Sequence, residues 1–335
     1  MLLLLLLCLF ASSEAHAVLI ATGTANATAP PDDPGWAHVG TRTGTGGGGG
    51  ALNGLTLIYL GNGWVLTANH VGEADLLLDG VAYPRISGSK VRFQNADLSD
   101  ADLMAFQIVG NPELPNLPIL EISATSPAIG EQVTMIGRGR NRGTATTWFE
   151  PPSGPLREGW LWASTAKIRW GTNQIANPAI APTSTTTDSL ISDFTKPGDA
   201  GFTSEEAQVV LGDSGGAVFH KVGPDWALAG VIHSAVQYAG QNPGSSLDGN
   251  ISYFADLASF RSQIIPVVRP ECSDEVDNDG DGNTDYPDDP QCSSRESDNE
   301  SAHLPSLSPL ALTALVALLA ASAILFPGRS KGAAA

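Results

Sequence analysis

The sequence predicts an all-β fold, a sandwich or a pair of barrels, closed by one helix. Three observations predict it. The 335 residues include 37 Gly and 23 Pro, which favours turns and short strands over long helices. Short apolar runs recur between turn signals, the pattern of sandwiches and barrels. Only residues 253–264 show helical spacing, with Phe254, Leu257 and Phe260 at i, i+3 and i+6 and Ile264 four further on.

Taken in order, residues 18–32 form a Thr/Ala/Pro-rich stretch, which predicts a leader without fixed structure. Residues 55–60 and 64–67 flank Gly61-Asn62-Gly63. That is a hairpin signal, because Asn-Gly tolerates the positive φ of a tight turn. Further strands are expected at 91–93, 103–108, 133–136, 166–170, 209–211, 217–220 and 228–233. The Gly run at 46–50 and the Thr run at 183–187 read as loops without assignable chemistry. No internal repeat is visible.

Both ends read as sorting signals. Residues 2–10 are apolar and precede Ala15-His16-Ala17, the layout of a cleaved secretory signal over residues 1–17. Residues 310–326 carry no charge and are followed by Arg329 and Lys331, which predicts a transmembrane or sorting tail over 301–335. The tail resembles bacterial carboxy-terminal sorting signals. That resemblance implies export to the bacterial cell envelope, membrane anchoring through this helix, and processing by a sorting enzyme onto the surface. The net charge is −18, of which residues 271–300 hold −11. No basic patch stands out, so nucleic acid is not expected as a partner.

Three segments carry the chemistry: Gly63-Trp64-Val65-Leu66-Thr67-Ala68-Asn69-His70, Asp100-Ala101-Asp102-Leu103-Met104-Ala105-Phe106, and Gly212-Asp213-Ser214-Gly215-Gly216. A serine hydroxyl is a weak nucleophile until a histidine accepts its proton, and that imidazole needs a carboxylate to set its tautomer. Glycines around Ser214 let the backbone turn so that the amides of Gly212 and Ser214 point into one oxyanion hole. Asp100 competes with Asp102 for the acid role, and the apolar Leu103, Ala105 and Phe106 favour Asp102. Gly212-x-Ser214-x-Gly216 also fits the nucleophile elbow of α/β-hydrolases. That fold needs a parallel sheet and a histidine after the serine, whereas His70 comes before it.

These segments resemble the WVLTAAH, D-[IL]-x-L and GDSGGP motifs of chymotrypsin-like (trypsin family) serine peptidases. The resemblance spans residues 33–267. It implies two antiparallel β-barrels of chymotrypsin type with a C-terminal helix, and the site between them. His70 would then be the general base, Asp102 the orienting acid and Ser214 the nucleophile of a serine endopeptidase acting on protein or peptide substrates, with no cofactor for catalysis. Family members are often cut to expose Ile-Val-Gly-Gly, whose new amine pairs with the Asp before the nucleophile. Asp213 is present, but no such start occurs upstream of His70. Gln208, six before the nucleophile, occupies the family's pocket floor, and the wall strand includes His233 and Ala235. An uncharged Gln208 does not favour Arg or Lys at the cleavage site. His233 reads either as a partner for an acidic substrate side chain or as a satisfied core histidine. A catalytically idle surface-binding protein that keeps the fold is the alternative.

Residues 268–300 form an acidic module. Within 277–288, Asp277, Asp279, Asp281, Asp285 and Asp288 fall at positions 1, 3, 5, 9 and 12 of a calcium-loop template, with Gly282 at position 6 and the Asn283 carbonyl at position 7. Such carboxylate density is costly unless a hard cation neutralises it, so Ca²⁺ is expected. Cys272 and Cys292 bracket the loop as a candidate disulfide, in keeping with export. The module resembles the Cys-bracketed, Asp/Gly-rich calcium motifs near the ends of exported bacterial proteins.

Overall fold

The computed structural model describes residues 18–23, 25–43, 55–176 and 187–300. The chain divides after Val268 into two units. The larger opens with β1 (Leu19–Ile20). There follow β2 (Val39–Thr43), β3 (Thr56–Gly61), β4 (Trp64–Thr67), β5 (Asp75–Leu78), β6 (Val81–Tyr83), β7 (Val91–Gln94) and β8 (Asp100–Gln107). The last seven pair antiparallel in the order β6-β5-β2-β3-β4-β8-β7. Beyond β6 the chain bends back so that Arg85 pairs with Ile108. The Ile86 N–H then donates to the Gln107 carbonyl and the Val109 N–H to that of Pro84. These bonds close the sheet into a first barrel.

The next strands are β9 (Gln132–Gly137), β10 (Arg140–Phe149), β11 (Leu156–Ala166), β12 (Arg169–Gln174), β13 (Ser189–Asp193), β14 (Ala207–Gln208), β15 (Ala217–Val222), β16 (Asp225–Val236), β17 (Ser245–Leu247) and β18 (Ile251–Asp256), leading into helix α1 (Leu257–Val268). Six pair antiparallel in the order β12-β9-β15-β16-β18-β13. The Ile175–Ser192 bridge and the bond from the Ala176 N–H to the Ile191 carbonyl join the two ends of that sheet. The result is a second barrel, as the resemblance implies. Strands β10 and β11 form a long hairpin with β17 on its edge, and β1 pairs with β14.

Alternation explains the strands. In β8 the sequence Asp-Ala-Asp-Leu buries Ala101 and Leu103 while Asp100 is exposed. The predicted hairpin is β3–β4, with Asn62 at φ 52° in the turn. Helix α1 buries Leu257, Phe260 and Ile264, one stripe at helical spacing. Gln263 clamps it to β7, accepting from the Gln94 N–H and donating to the Gln94 carbonyl.

Four expectations are corrected. Residues 253–256 finish β18, so the helix starts only at Leu257, where the apolar spacing first coincides with an Asp256 carboxylate accepting the Ala258 N–H. Residues 166–170 straddle the break between β11 and β12. Residues 209–211 turn rather than extend, because the Val210 carbonyl accepts the Asp213 N–H. The leader is not without structure. Val18 and Leu19 are wholly buried, the Thr22 hydroxyl donates to the Ser204 carbonyl, and the Asn26 amide donates to Trp170 and Glu205. The polar average over residues 18–32 hid an apolar Val-Leu-Ile triplet at its start.

In the smaller unit Cys272 and Cys292 form the expected disulfide. Closing a 20-residue separation stabilises by about 3 kcal/mol in the chain-entropy model. Among the described residues its interior is polar, with Asp274, Asp289 and Glu300 buried beside the cystine. No helix among the described residues is long and apolar enough to cross a membrane. The signal at 1–17, the Gly run at 46–50 and the tail at 301–335 lie outside the described residues.

Candidate active site

His70 sits in a 3-10 turn, Asn69–Val71, that follows β4 directly. Asp102, near the start of the adjacent β8, reaches it twice. Its Oδ1 accepts the His70 main-chain N–H at 2.8 Å, and its Oδ2 meets Nδ1 at 2.6 Å. A carboxylate only accepts, so Nδ1 carries the proton and Nε2 is left as the acceptor. Burial works to raise the Asp102 carboxyl, but the hydrogen bonds and charge of His70 outweigh it and hold it below its ordinary value. Asp100, the competing acid, is instead exposed and paired with the Arg92 guanidinium at 2.9 Å.

The loop carrying Ser214 belongs to the second barrel but docks on the first. The Ser214 carbonyl accepts the Thr56 N–H at 3.0 Å. Gly215, at φ 82°, lies so close that a Cβ there would overlap the Thr56 carbonyl and the Thr67 hydroxyl. Thr67 ends β4, three residues before His70, so this contact brings the serine loop to the histidine turn. Gly212 has φ 106°, and a Cβ on it would press on the Arg138 carbonyl at 3.1 Å. Inside the loop, the Asp213 N–H donates to Val210, Gly215 to Ile232 and Gly216 to Asp213. Among the described residues the N–H groups of Gly212 and Ser214 make no hydrogen bond. Two free amides with a single residue between them are what an oxyanion hole requires.

A second bridge between the barrels supports the acid. The Thr187 hydroxyl accepts the Asp102 N–H at 2.8 Å, and the Thr187 carbonyl accepts the Ser189 hydroxyl at 2.6 Å. The same Ser189 oxygen lies 2.9 Å from His233 Nε2, while the Ser234 hydroxyl lies 3.0 Å from Nδ1. With its own proton committed to Thr187, Ser189 accepts from Nε2–H, and Nδ1 accepts from Ser234. Burial pushes His233 down to about 4, against the pull of the Asp102 charge. Both imidazole nitrogens are thereby occupied within the protein, the arrangement of a satisfied core histidine. Gln208 is buried in β14, paired with Leu19; its amide nitrogen donates to the Ile251 carbonyl at 3.4 Å, and its Oε1 has no partner among the described residues. Ala235 is half-buried on β16, opposite Ser252 of β18.

The sequence reading missed Thr56, Thr67 and Thr187. Thr67 was within the histidine motif and legible there. Thr187 ends a Thr run, and only a tertiary contact distinguishes it.

In the acidic unit, Asp277, Asp279 and Asp281 bring carboxylate oxygens within 4.8 Å of one another. The main chain wraps them, with Gly280 and Gly282 donating to Asp277, Asp281 to Asp279 and Asn283 to Asp281. The Gln291 amide donates to Asp279 and Asp281. Asp285 and Asp288, expected as ligands, stand outside this cluster. Both Asp285 oxygens are taken by the N–H groups of Asp274 and Glu275, which turns the carboxylate into a loop brace. Glu300, unforeseen, accepts the Asn278 and Asp285 N–H groups from a wholly buried position.

No protein-family model matches the chain, and no curated protein does. Among solved structures, neuropsin, a serine protease expressed in the limbic system of mouse brain, is 14% identical, covering 74% of this chain and 98% of its own at a TM-score of 0.44. Kallikrein-related peptidase 10 in complex with Zn²⁺ is 13% identical over 72% of this chain and 98% of its own, at 0.44. A mutant of human heparin binding protein is 13% identical over 70% and 92%, at 0.45. At this distance the fold is read from strand order and barrel closure, and the site from its own hydrogen bonds.

Proposed function

We propose that the chain is a serine endopeptidase that hydrolyses protein or peptide substrates through an acyl-enzyme. One observation carries the proposal: Asp102 grips both the main-chain N–H and the ring N–H of His70 beside a glycine-framed serine loop with two free amides. Ser214 Oγ attacks the scissile carbonyl carbon while His70 Nε2 takes its proton. The imidazolium that forms is stabilised by Asp102, and the amides of Gly212 and Ser214 receive the developing oxyanion, each such donor contributing about 10²–10³ in rate. The C–N bond then breaks, and Nε2–H delivers the proton to the leaving amine. Water, deprotonated by the same nitrogen, attacks the acyl carbon, releasing the carboxylic acid and restoring the Ser214 hydroxyl.

Export and retention in a bacterial envelope are part of this reading, supported by the two terminal patterns and by the cystine. So is Ca²⁺ in the acidic unit. Asp277, Asp279 and Asp281 with the Asn283 carbonyl are all hard oxygen donors that suit it, and the ion would order a spacer between the peptidase and its anchor. Labelling of the full chain by a fluorophosphonate tests the function. Labelling that disappears in Ser214→Ala and His70→Ala supports it, and a wild-type chain that takes no label overturns it.

A further inference from the structure

Strand β10 pairs with β11 and, among the described residues, with no other strand. Which of its main-chain groups stay free follows from the register. Phe149 stands opposite Leu156, Trp148 opposite Arg157, Thr147 opposite Glu158, Thr146 opposite Gly159 and Ala145 opposite Trp160. In an antiparallel pair, successive residues alternate between bonding the partner strand and facing away from it. On β11 the Glu158 carbonyl accepts the Asp248 N–H and the Trp162 N–H donates to the Gly244 carbonyl, so the even-numbered residues there turn away from β10. Arg157 and Gly159 therefore bond Trp148 and Thr146. Ala145, Thr147 and Phe149 point their N–H and C=O groups outward, where among the described residues they meet no partner.

Sheets ordinarily blunt such an edge with Lys, Pro or a very short strand. Here the run from Gly143 to Phe149 holds no charge and no Pro, and its Thr, Trp and Phe residues favour the extended form. The edge is also held stiff. Arg157 bonds Glu150 at 3.0 Å and Asp248 at 3.4 Å and lies over the Tyr238 ring, on which Trp148 stacks with centroids 5.7 Å apart. The base of the strand is joined to the serine loop: the Arg140 N–H donates to the Leu211 carbonyl at 2.9 Å and the Gly139 N–H to Asp213 at 2.6 Å. Ala145, Thr146 and Thr147 also line a cleft of about 310 Å³ whose walls include Trp160, Phe194 and Pro197.

We infer that the free edge of β10 takes up an extended segment of a polypeptide substrate as an added strand. Only another main chain in the extended form offers donors and acceptors at the matching two-residue repeat of about 6.6 Å. The backbone bonds give affinity without regard to sequence, and the cleft with its Trp160 and Phe194 rings favours an apolar side chain. From Arg140 to Phe149 the strand runs for about 30 Å, so a segment annealed on it is led toward Ser214. A compact folded protein presents no such segment. The substrate class is a flexible or unfolded polypeptide longer than the few residues that flank the cut. The consequence for hydrolysis rests on the peptidase reading of Ser214; the strand addition itself does not.

The full chain carrying Ser214→Ala, which cannot cleave its ligand, tests the binding. The probe is a fluorescent Thr/Val-rich peptide of about 16 residues, long enough to cover the edge, read by anisotropy beside a copy N-methylated along its length. The plain peptide is expected to bind and the methylated copy, stripped of its main-chain donors, to bind at least about tenfold more weakly. Thr147→Pro, which removes one outward N–H and none that β11 uses, is expected to weaken the plain peptide in the same direction. Should that variant misfold, the methylated probe still decides on the unaltered hairpin. With Ser214 intact, a short substrate extended at either end by about ten Thr/Val residues should show a KM at least about tenfold lower than the short one from one of the two ends. Equal binding of the methylated copy, a KM unmoved by extension at both ends, or a dimer of the chain that Thr147→Pro dissolves each overturns the inference, the last by giving the edge to a second copy. Methylation-sensitive binding by a chain that hydrolyses nothing supports the strand addition and removes the peptidase reading instead.

Discussion

Asp102→Asn is the sharpest perturbation of the proposed triad, because it swaps one acceptor for a donor at almost constant shape. Asp102 now accepts twice, from the His70 main-chain N–H at 2.8 Å and from Nδ1 at 2.6 Å. An amide has one oxygen. The main-chain N–H can only donate, and Asp102's own backbone is fixed by Thr187 at 2.8 Å, so the amide oxygen must face the main chain. The NH₂ group then faces Nδ1, which must accept, and the imidazole proton moves to Nε2. That nitrogen can no longer take the proton of Ser214. The expected loss is about 10⁴ in kcat, the size seen when a triad histidine is held in the wrong tautomer, or about 5.5 kcal/mol of transition-state stabilisation. KM should change little, because Asp102 touches no substrate. Steady-state hydrolysis of a peptide amide measures both constants, with Asp100→Asn in parallel. The Asp100–Arg92 pair is exposed and contributes about 0–1 kcal/mol to stability, so that variant should keep wild-type kinetics. Retention of activity within tenfold by Asp102→Asn, or an equal fall in Asp100→Asn, would refute the tautomer argument.

Four further outcomes follow from the geometry. Gly215→Ala should destabilise by about 2–4 kcal/mol in denaturant titration, from overpacking on Thr56 and Thr67 plus left-handed strain, and should lose hydrolysis with it. Burial pushes folded Asp213 up to about 7, well above the ordinary carboxylate value near 3.8. Its contribution to stability is therefore full below pH 3.8 and fades as pH rises through 7; thermal midpoints from pH 5 to pH 8 should fall, and Asp213→Asn should flatten the fall. Cleavage of a mixed peptide library should show no dominant preference for Arg or Lys, because buried Gln208 brings an amide and no charge. Calorimetric titration of the full chain should show Ca²⁺ binding that Asp279→Asn weakens and Asp288→Asn leaves in place, since only the former carboxylate joins the cluster.

What the sequence made legible was whatever is encoded locally. The Asn62 hairpin was readable because a positive φ restricts the residue that can occupy it. The His70, Asp102 and Ser214 segments were readable because each couples a reactive side chain to a strand end or a glycine turn that must be spelled out in neighbouring residues. Contacts made across the fold left no such trace. Thr187 reaches Asp102 from 85 positions away, and nothing in a Thr run says which hydroxyl will meet a main-chain N–H. Residues 253–256 show helical spacing yet end a strand, because pairing with β13 and β16 outweighs local periodicity until Asp256 supplies a cap. The template placed five acids on one ion, but Asp285 at φ 57° turns back to brace the chain, so spacing alone counted as a ligand what the backbone uses as a hinge. Val18 is the clearest case. Its neighbours in sequence read as a leader to be discarded, while its neighbours in space are the core of the second barrel. The polar residues around the Val-Leu-Ile triplet mask it in any local average, and its burial comes from packing on Val133, Met135 and Val209, residues more than a hundred positions away that no local pattern names.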